Sequence, residues 1–325
     1  MKTSYNVAVV GATGMVGQKI IDVLAERNFP INKLYPLASK NSAGKQIIFA
    51  GQNVKVLELT EHSFDKNIDI ALFAAGSRVS EHYIPIALEH GVKVVDNSSF
   101  YRMDDQVPLI IPEVNGDLLT EQTQLVANPN CSTIQSLMVI KPLYDAFGVK
   151  RIIYNTYQST SGSGVKGVKA LKEESSKAYP YSIQTNTLPH IDDFLDNGYT
   201  KEEMKMINES KKLLDDQDLK ITATAVRVPI KSSHAISINI ELNNDANSDD
   251  LQQRLNQAPG VIVKDDPKAE LYPLQDDSSG TDDIFVGRIR KDYSQPKTFN
   301  LWCTGDNIRK GAATNTVQIA ELFTK

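Results

Sequence analysis

The chain has 325 residues, 41% hydrophobic and 23% charged, with 35 basic side chains against 40 acidic ones and a formal charge of −5. This is the composition of an ordinary folded protein, and the prior of about 150 residues per domain predicts two lobes and excludes wholesale disorder. No dense Lys/Arg run marks a nucleic-acid partner, no apolar run reaches the roughly 18 residues of a membrane span, and a first strand-like run at Asn6 leaves no room for a signal peptide. The expectation is a cytoplasmic protein with no nucleic-acid or membrane partner.

The opening stretch, YNVAVVGATGMVGQKIIDVLAERN, reads as a short buried strand, a glycine turn and an amphipathic helix with Val16, Ile20, Ile21 and Leu24 at helical spacing. Strands are predicted at Lys33 to Ala38, Ile68 to Ala74 and Val92 to Val95, with a helix over Val79 to Glu89 and a further strand in QLVAN. Strands alternating with helices predict an α/β fold with a doubly wound, mostly parallel, Rossmann-like N-terminal sheet. From Arg151 longer alternating runs follow: RIIYNTYQS, KITATAVRV, AISINIEL and TFNLWCT. These predict a second, α+β domain built on a largely antiparallel sheet covered on one face. The polar span Lys264 to Asp283 reads as an exposed connection, and Asn307 to Phe323 as a final helix.

Gly11, Gly14 and Gly17 give G-x-x-G-x-x-G directly after the first strand and at the mouth of a helix. Glycines let backbone approach a pyrophosphate, and the helix start offers N–H groups and a positive dipole end, so a dinucleotide is the expected ligand; a turn packed for its own sake is the alternative. The second strand ends in LASKNSAGK without the acid that usually meets an NAD ribose. Ser39, Lys40, Asn41 and Ser42 suit a 2′-phosphate better, so the expected cofactor is NADP, against the alternative that Lys40 is only a solvated loop residue.

Two cysteines make no disulfide framework, so each is weighed singly. Cys131, in NPNCSTIQS, stands at the start of a predicted helix, where a thiolate is favoured and the amides of Cys131, Ser132 and Thr133 are available to a developing oxyanion. Packing near a helix cap is an equal reading from spacing alone. Cys303, in the alternating FNLWCT, reads as core. Of the histidines, His62, His82 and His90 read as surface residues, and His190 in LPHIDDF stays open. His234 is the preferred base, because ATAVRVPIKSSHAISINIEL reads as two strands whose short link brings Arg227 and His234 to one sheet end. A backbone-bonded histidine and a surface arginine are the plain alternatives.

The glycine turn, NPNCSTIQS, YQSTSGSG, AVRVPIKSSH and FVGRIRKD, in that order, resemble the aspartate-semialdehyde dehydrogenase family nearly end to end. The resemblance implies NADP-dependent reductive dephosphorylation of L-aspartyl 4-phosphate to L-aspartate 4-semialdehyde through a cysteine thioester, in lysine (diaminopimelate), threonine and methionine biosynthesis. It implies Cys131 as nucleophile, His234 as proton shuttle and Gln158 beside the acyl group. Arg227 would grip the substrate carboxylate, Arg102, Asn130 and Lys205 the phosphate, and Glu202 the ammonium. Gly11, Thr13, Gly14, Met15, Val16 and Gly17, with Lys40, Asn41 and Ser42, would hold the cofactor; Ser161 and Gly162 match a cofactor-contacting turn, and Asn315 a residue near the nicotinamide. It further implies a dinucleotide-binding domain 1–130 rejoined by helix 307–325, a catalytic and dimerisation domain 131–306, a small-molecule substrate, no metal and a homodimer.

Two features depart from the pattern. Asn41 in NSAGK stands where relatives commonly carry arginine, and the segment between Gly164 and Leu188, a helical dimer contact in many relatives, is short. Alternatives are another acyl-phosphate reductase such as N-acetyl-glutamyl-phosphate reductase, whose substrate carries no ammonium, and a non-enzymatic dinucleotide sensor with a redox-active Cys131.

Overall fold

In a computed structural model of the chain the described residues are 2–173 and 178–324. The chain divides into two units, Met1–Pro129 with Ala312–Lys325, and Asn130–Gly311. Asn130 is tied by its backbone and side chain to Glu209 and Glu202, and Asn307 to Ser159, Ser161 and Ser233, all of the second unit.

The first unit runs β1 (Tyr5–Val10), α1 (Met15–Glu26), β2 (Ile31–Ala38), β3 (Gln46–Phe49), β4 (Gln52–Lys55), β5 (Leu57–Glu58), β6 (Ile70–Phe73), α2 (Ser77–Glu89), β7 (Lys93–Asp96), α3 (Pro112–Asn115) and β8 (Leu125–Ala127). Its main sheet has the order β5-β2-β1-β6-β7-β8 with every neighbouring pair parallel, as the alternating pattern predicts. Both faces of β1 are buried, which explains its unbroken apolar run. Val7 and Val9 pack with Ile20, Ile21 and Leu24 of α1 and with Val317 and Ile319 of the C-terminal helix, while Ala8 and Val10 pack with Ile84 and Ala87 of α2. The hairpin β3–β4 was not expected. Its turn, Ala50–Gly51, has both residues at positive φ, as two-residue hairpins prefer, and Ile47 and Phe49 rest against the cluster around α1.

The second unit runs α4 (Cys131–Phe147), β9 (Val149–Gln158), α5 (Gly164–Lys172), α6 (Lys201–Leu213), β10 (Lys220–Arg227), β11 (His234–Leu242), α7 (Ser248–Asn256), β12 (Val261–Val263), α8 (Gln275–Ser278), β13 (Ile284–Lys291) and β14 (Thr298–Gly305). Residues 174–177 of the short segment after α5 lie outside the described residues. The sheet order is β10-β9-β11-β14-β13-β12; the inner pairs are antiparallel, but β9–β10 and β12–β13 are parallel. Parallel neighbours need a crossover, and the chain from α5 through α6 supplies the one between β9 and β10.

Alternation sorts the inner strands cleanly. Ile152, Tyr154 and Thr156 of β9, Ile236, Ile238 and Ile240 of β11, and Phe299, Leu301 and Cys303 of β14 are all buried on the face that α4 covers. Ile153, Asn155 and Tyr157, with Ser237, Asn239, Asn300 and Trp302, line the other face and are partly exposed. The connection 264–283 is largely exposed, as predicted. The final helix is shorter than the sequence suggests. Asp306 Oδ1 accepts from the N–H groups of Ile308 and Arg309, a wide turn follows over Arg309–Ala313, and regular helix covers only Thr314–Leu322.

Candidate active site

Asn130 is the N-cap of α4, its Oδ1 accepting from Ser132 N–H (2.9 Å) and Thr133 N–H (3.3 Å). Two of the three amides that the sequence leaves open to an oxyanion are therefore taken by the cap. Cys131 stands at the first helical position, half-buried, while Ser132 through Ile140 behind it are buried. The positive end of the helix dipole thus lies at this residue. Gly311 closes the opposite side: a Cβ there would lie 3.0 Å from the Cys131 Cβ.

The covered face of the sheet delivers the remaining groups. In β9, Gln158 follows Thr156 on that face; in β10, Arg227 is in register with Gln158; and β11 begins at His234, beside the β9 end because Ala235 pairs with Tyr157. Three side chains thus leave one sheet end toward the start of α4. His234 Nε2 lies 3.4 Å from Cys131 Sγ, and its Nδ1 meets Ser159 N–H at 3.1 Å. Burial, and then the neighbouring Arg227 guanidinium, hold the His234 imidazole well below its ordinary pKa, so the ring is neutral at physiological pH. Arg227 Nη1 donates to Ser159 O (2.6 Å), whereas its Nε is buried with no partner among the described residues. Gly162 packs against both side chains. A Cβ would lie 2.9 Å from Arg227 Nη1 and 3.4 Å from His234 Cε1.

Glu202, from α6, binds this group from the side. One oxygen accepts from Asn130 Nδ2 (2.9 Å) and Gln158 Nε2 (3.2 Å), the other from Lys205 Nζ (3.2 Å), which also reaches Asp192 (2.8 Å). Only 5% exposed, Glu202 is not half of a solvated helix-surface pair. Burial pushes its carboxyl upward, but Lys205 and the bonds from Asn130 and Gln158 outweigh that and hold it below the usual range. The second unit thus brings together Cys131, His234, Gln158, Arg227, Asn130, Glu202 and Lys205. Asn130 is heavily committed inside it, since its N–H also donates to Glu209 (2.6 Å).

The first unit carries the other expected positions. Gly11 has φ of +84°, and a Cβ on Gly17 would lie 2.2 Å from Gly11 O, so the turn closes only with glycine at both places. The N-cap of α1, Gly14, makes no side-chain bond to the helix start. This bare, close-packed helix entrance fits a dinucleotide pyrophosphate. Ser42 Oγ lies 3.4 Å from Thr13 Oγ1, which brings the Lys40–Ser42 turn against the glycine turn. Arg102 is buried, donating to Asn128 O and Asn97 O. Asn315 is fully buried, its amide donating to Ile110 O and Asn128 Oδ1, a bracing position within the unit.

Sequence reasoning missed Asn307, Glu209 and Gly311. Asn307 and Gly311 lie in a stretch read as plain helix, and Glu209 is one of several acids on an amphipathic helix, so none of the three carries a local signal. Cys303 is core, its thiol pushed up to about 12 by burial. His62, His82 and His90 are exposed and lie beside acidic side chains, and His190 stacks on Phe194. No helix among the described residues is long and apolar enough to cross a membrane.

A parallel sheet with a glycine-turn helix entrance, followed by a unit that sets a half-buried cysteine against a neutral histidine, defines the semialdehyde dehydrogenase class. Family models agree: residues 6–122 match the semialdehyde dehydrogenase NAD binding domain and residues 140–310 its dimerisation domain. Aspartate-semialdehyde dehydrogenase of Legionella pneumophila is 47% identical over 99% of this chain and 96% of its own length, and that of Bacillus subtilis 46% over 100% and 99%. The crystal structure of aspartate semialdehyde dehydrogenase II of Vibrio cholerae, complexed with ASA, superposes with a TM-score of 0.95 at 41% identity, covering 99% of both chains. The chain belongs to the aspartate-semialdehyde dehydrogenase family, which carries out a reductive dephosphorylation in amino-acid biosynthesis.

Proposed function

We propose that this enzyme reduces L-aspartyl 4-phosphate to L-aspartate 4-semialdehyde in the cytosol, with Cys131 as nucleophile and NADP as preferred cofactor. The Cys131 sulfur, as thiolate, attacks the acyl carbon; the carbon–oxygen bond to phosphate breaks and inorganic phosphate leaves, giving a thioester. When bound, the reduced nicotinamide supplies the hydride that converts the thioester to the aldehyde and returns the sulfur as thiolate. The observation that carries this reading is the 3.4 Å approach of Cys131 Sγ to a buried His234 at the start of α4.

His234 handles the protons of the cycle, and Gln158 orients the acyl group as a neutral amide. Arg227, with its unpartnered Nε and one Nη1 bond already made, suits a carboxylate held by two parallel bonds. Glu202 receives the substrate ammonium, which favours this substrate over one with an acylated nitrogen. Lys205, Arg102 and Asn130 serve the phosphate. The turn Gly11 to Gly17, including Thr13, Met15 and Val16, holds the pyrophosphate. Ser161, Gly162 and Asn315 support the nicotinamide side.

Preference for NADP rests on Lys40 and Ser42 beside the glycine turn and on Lys45, whose Nζ lies 3.5 Å from Ser42 Oγ. Asn41 adds no charge there, and β5 brings Glu58 into register with Ala38 at the end of β2, so the expected preference is moderate. A homodimer through the partly exposed sheet face carrying Tyr157 and Trp302 is supported by that face and by the dimerisation-domain match. Following nicotinamide absorbance with aspartate semialdehyde and phosphate tests the reading. Wild type turns over and prefers NADP, Lys40→Ala narrows the preference, and Cys131→Ala loses several orders of magnitude. Undiminished turnover in Cys131→Ala overturns the assignment.

A further inference from the structure

Lys205, assigned above to the phosphate, is held by carboxylates on two sides. Its Nζ lies 3.2 Å from Glu202 Oε2 and 2.8 Å from Asp192 Oδ2. The two pairs differ in what else secures them. Glu202 is buried and also accepts from Asn130 and Gln158, so three donors keep it in place. Asp192 lies in LPHIDDF, the stretch whose His190 joins no part of the site, and its side chain is 35% exposed. Its other hydrogen bond among the described residues is local, Oδ1 accepting from Asp193 N–H at 3.0 Å.

The turn around Asp192 is anchored by its neighbours. Ile191 is buried, Lys201 N–H donates to Asp193 O at 2.9 Å, and Lys201 Nζ pairs with the Asp193 carboxylate at 2.7 Å. Parting Asp192 from Lys205 therefore costs the fold one partly exposed ion pair. The charges, meanwhile, add up against an incoming anion. Burial pushes both carboxyls upward, but the Lys205 ammonium and the hydrogen bonds each accepts outweigh that, so Asp192 and Glu202 are both ionised at physiological pH. Two carboxylates around one ammonium leave the cluster one charge negative. A phosphate that comes to Lys205 meets a cation already over-neutralised, with two of its three hydrogens directed at other oxygens.

We infer that Asp192 is a displaceable counter-ion that sets phosphate affinity: it competes with phosphate for Lys205, yields to the bound anion and takes the ammonium back when the anion leaves. This deepens the proposed function and rests on its assignment of Lys205 to the phosphate. Of the two carboxylates on Lys205, Glu202 stays, because its other donors hold it and the lysine keeps a fixed partner. Asp192 is the one that gives way. Phosphate is the group released as the thioester forms, and a carboxylate waiting for the lysine lessens the free energy lost when it departs.

The test removes the charge and leaves the turn. Asp192 has φ of +67°, a left-handed conformation that asparagine tolerates and glycine adopts freely, so Asp192→Asn is the first variant and Asp192→Gly carries the test if it does not fold. Full-length enzyme is assayed against inorganic phosphate, with aspartate semialdehyde and oxidised nicotinamide saturating and ionic strength constant. KM for phosphate should fall about fivefold, the upper end of what a partly exposed ion pair is worth, while KM for aspartate semialdehyde stays within about twofold. A residue that only steadied Lys205 would have the opposite signature, since its loss would loosen the lysine and raise KM for phosphate. An unchanged or raised KM for phosphate in a folded variant overturns the inference. Lys205→Ala tests the level beneath: an unchanged KM for phosphate there would overturn the assignment of Lys205 itself, whatever the Asp192 variants do.

Discussion

Replacing Glu202 by alanine removes the acceptor on which Asn130, Gln158 and Lys205 converge. The cost follows from what each donor has left. Lys205 keeps Asp192 and Gln158 keeps Thr156 Oγ1, but the Asn130 Nδ2 bond to the carboxylate is lost at a residue only 6% exposed. An orphaned buried donor costs about 1–3 kcal/mol, and weakening the two other charged bonds brings the total to about 2–4 kcal/mol. Urea denaturation of Glu202→Ala should show that loss as a lower midpoint at unchanged slope. Glu202→Gln separates structure from recognition. It keeps the volume and an acceptor, so the stability loss should shrink to about 1 kcal/mol. If Glu202 also meets a substrate ammonium, KM for aspartate semialdehyde should still rise by about ten- to a hundredfold, the equivalent of one charged hydrogen bond. A Glu202→Ala midpoint indistinguishable from wild type would refute the hub, and an unchanged KM in Glu202→Gln the ammonium contact.

Stability should fall on mild acidification through His234. Its folded pKa lies well below the ordinary value, so below about pH 6.5 the unfolded chain takes up a proton that the native ring refuses, and stability drops by up to about 1.4 kcal/mol per pH unit. Thermal melts between pH 7 and 5.5 should show a steeper decline for wild type than for His234→Gln; parallel declines would contradict the burial argument. Gly17→Ala forces a Cβ to 2.2 Å from Gly11 O, so the turn must open. The expected result is a loss of about 1–3 kcal/mol and a raised KM for the nicotinamide cofactor, with KM for phosphate unaffected.

Much of the fold was legible because its signals are periodic. The buried run of β1, the glycine turn and the alternation of β9, β11 and β14 each reflect a surface that only one packing arrangement buries. The parallel placement of β10 and β12 was not legible, since strand direction depends on crossovers far away in sequence. At the site, Cys131 and His234 could be proposed from local context, and ordered motifs supplied Gln158, Arg227 and Glu202. Asn307 and Glu209 could not be, because an asparagine in a turn and an acid on a helix acquire meaning only from what stands opposite them. The oxyanion amides were over-counted for the same reason: the sequence shows Asn130 ahead of a helix, but the geometry assigns its oxygen to Ser132 and Thr133.

The most direct measurement is the identity of the acylated residue. Enzyme mixed with aspartate semialdehyde and oxidised nicotinamide, with phosphate withheld, should stall as the thioester. Acid quenching and peptide mass spectrometry should then find one aspartyl group, released by hydroxylamine, on the peptide containing Cys131. An acyl group on Cys303 or on no cysteine, or the same adduct formed by Cys131→Ser with full turnover, would contradict a mechanism built on the sulfur at the head of α4.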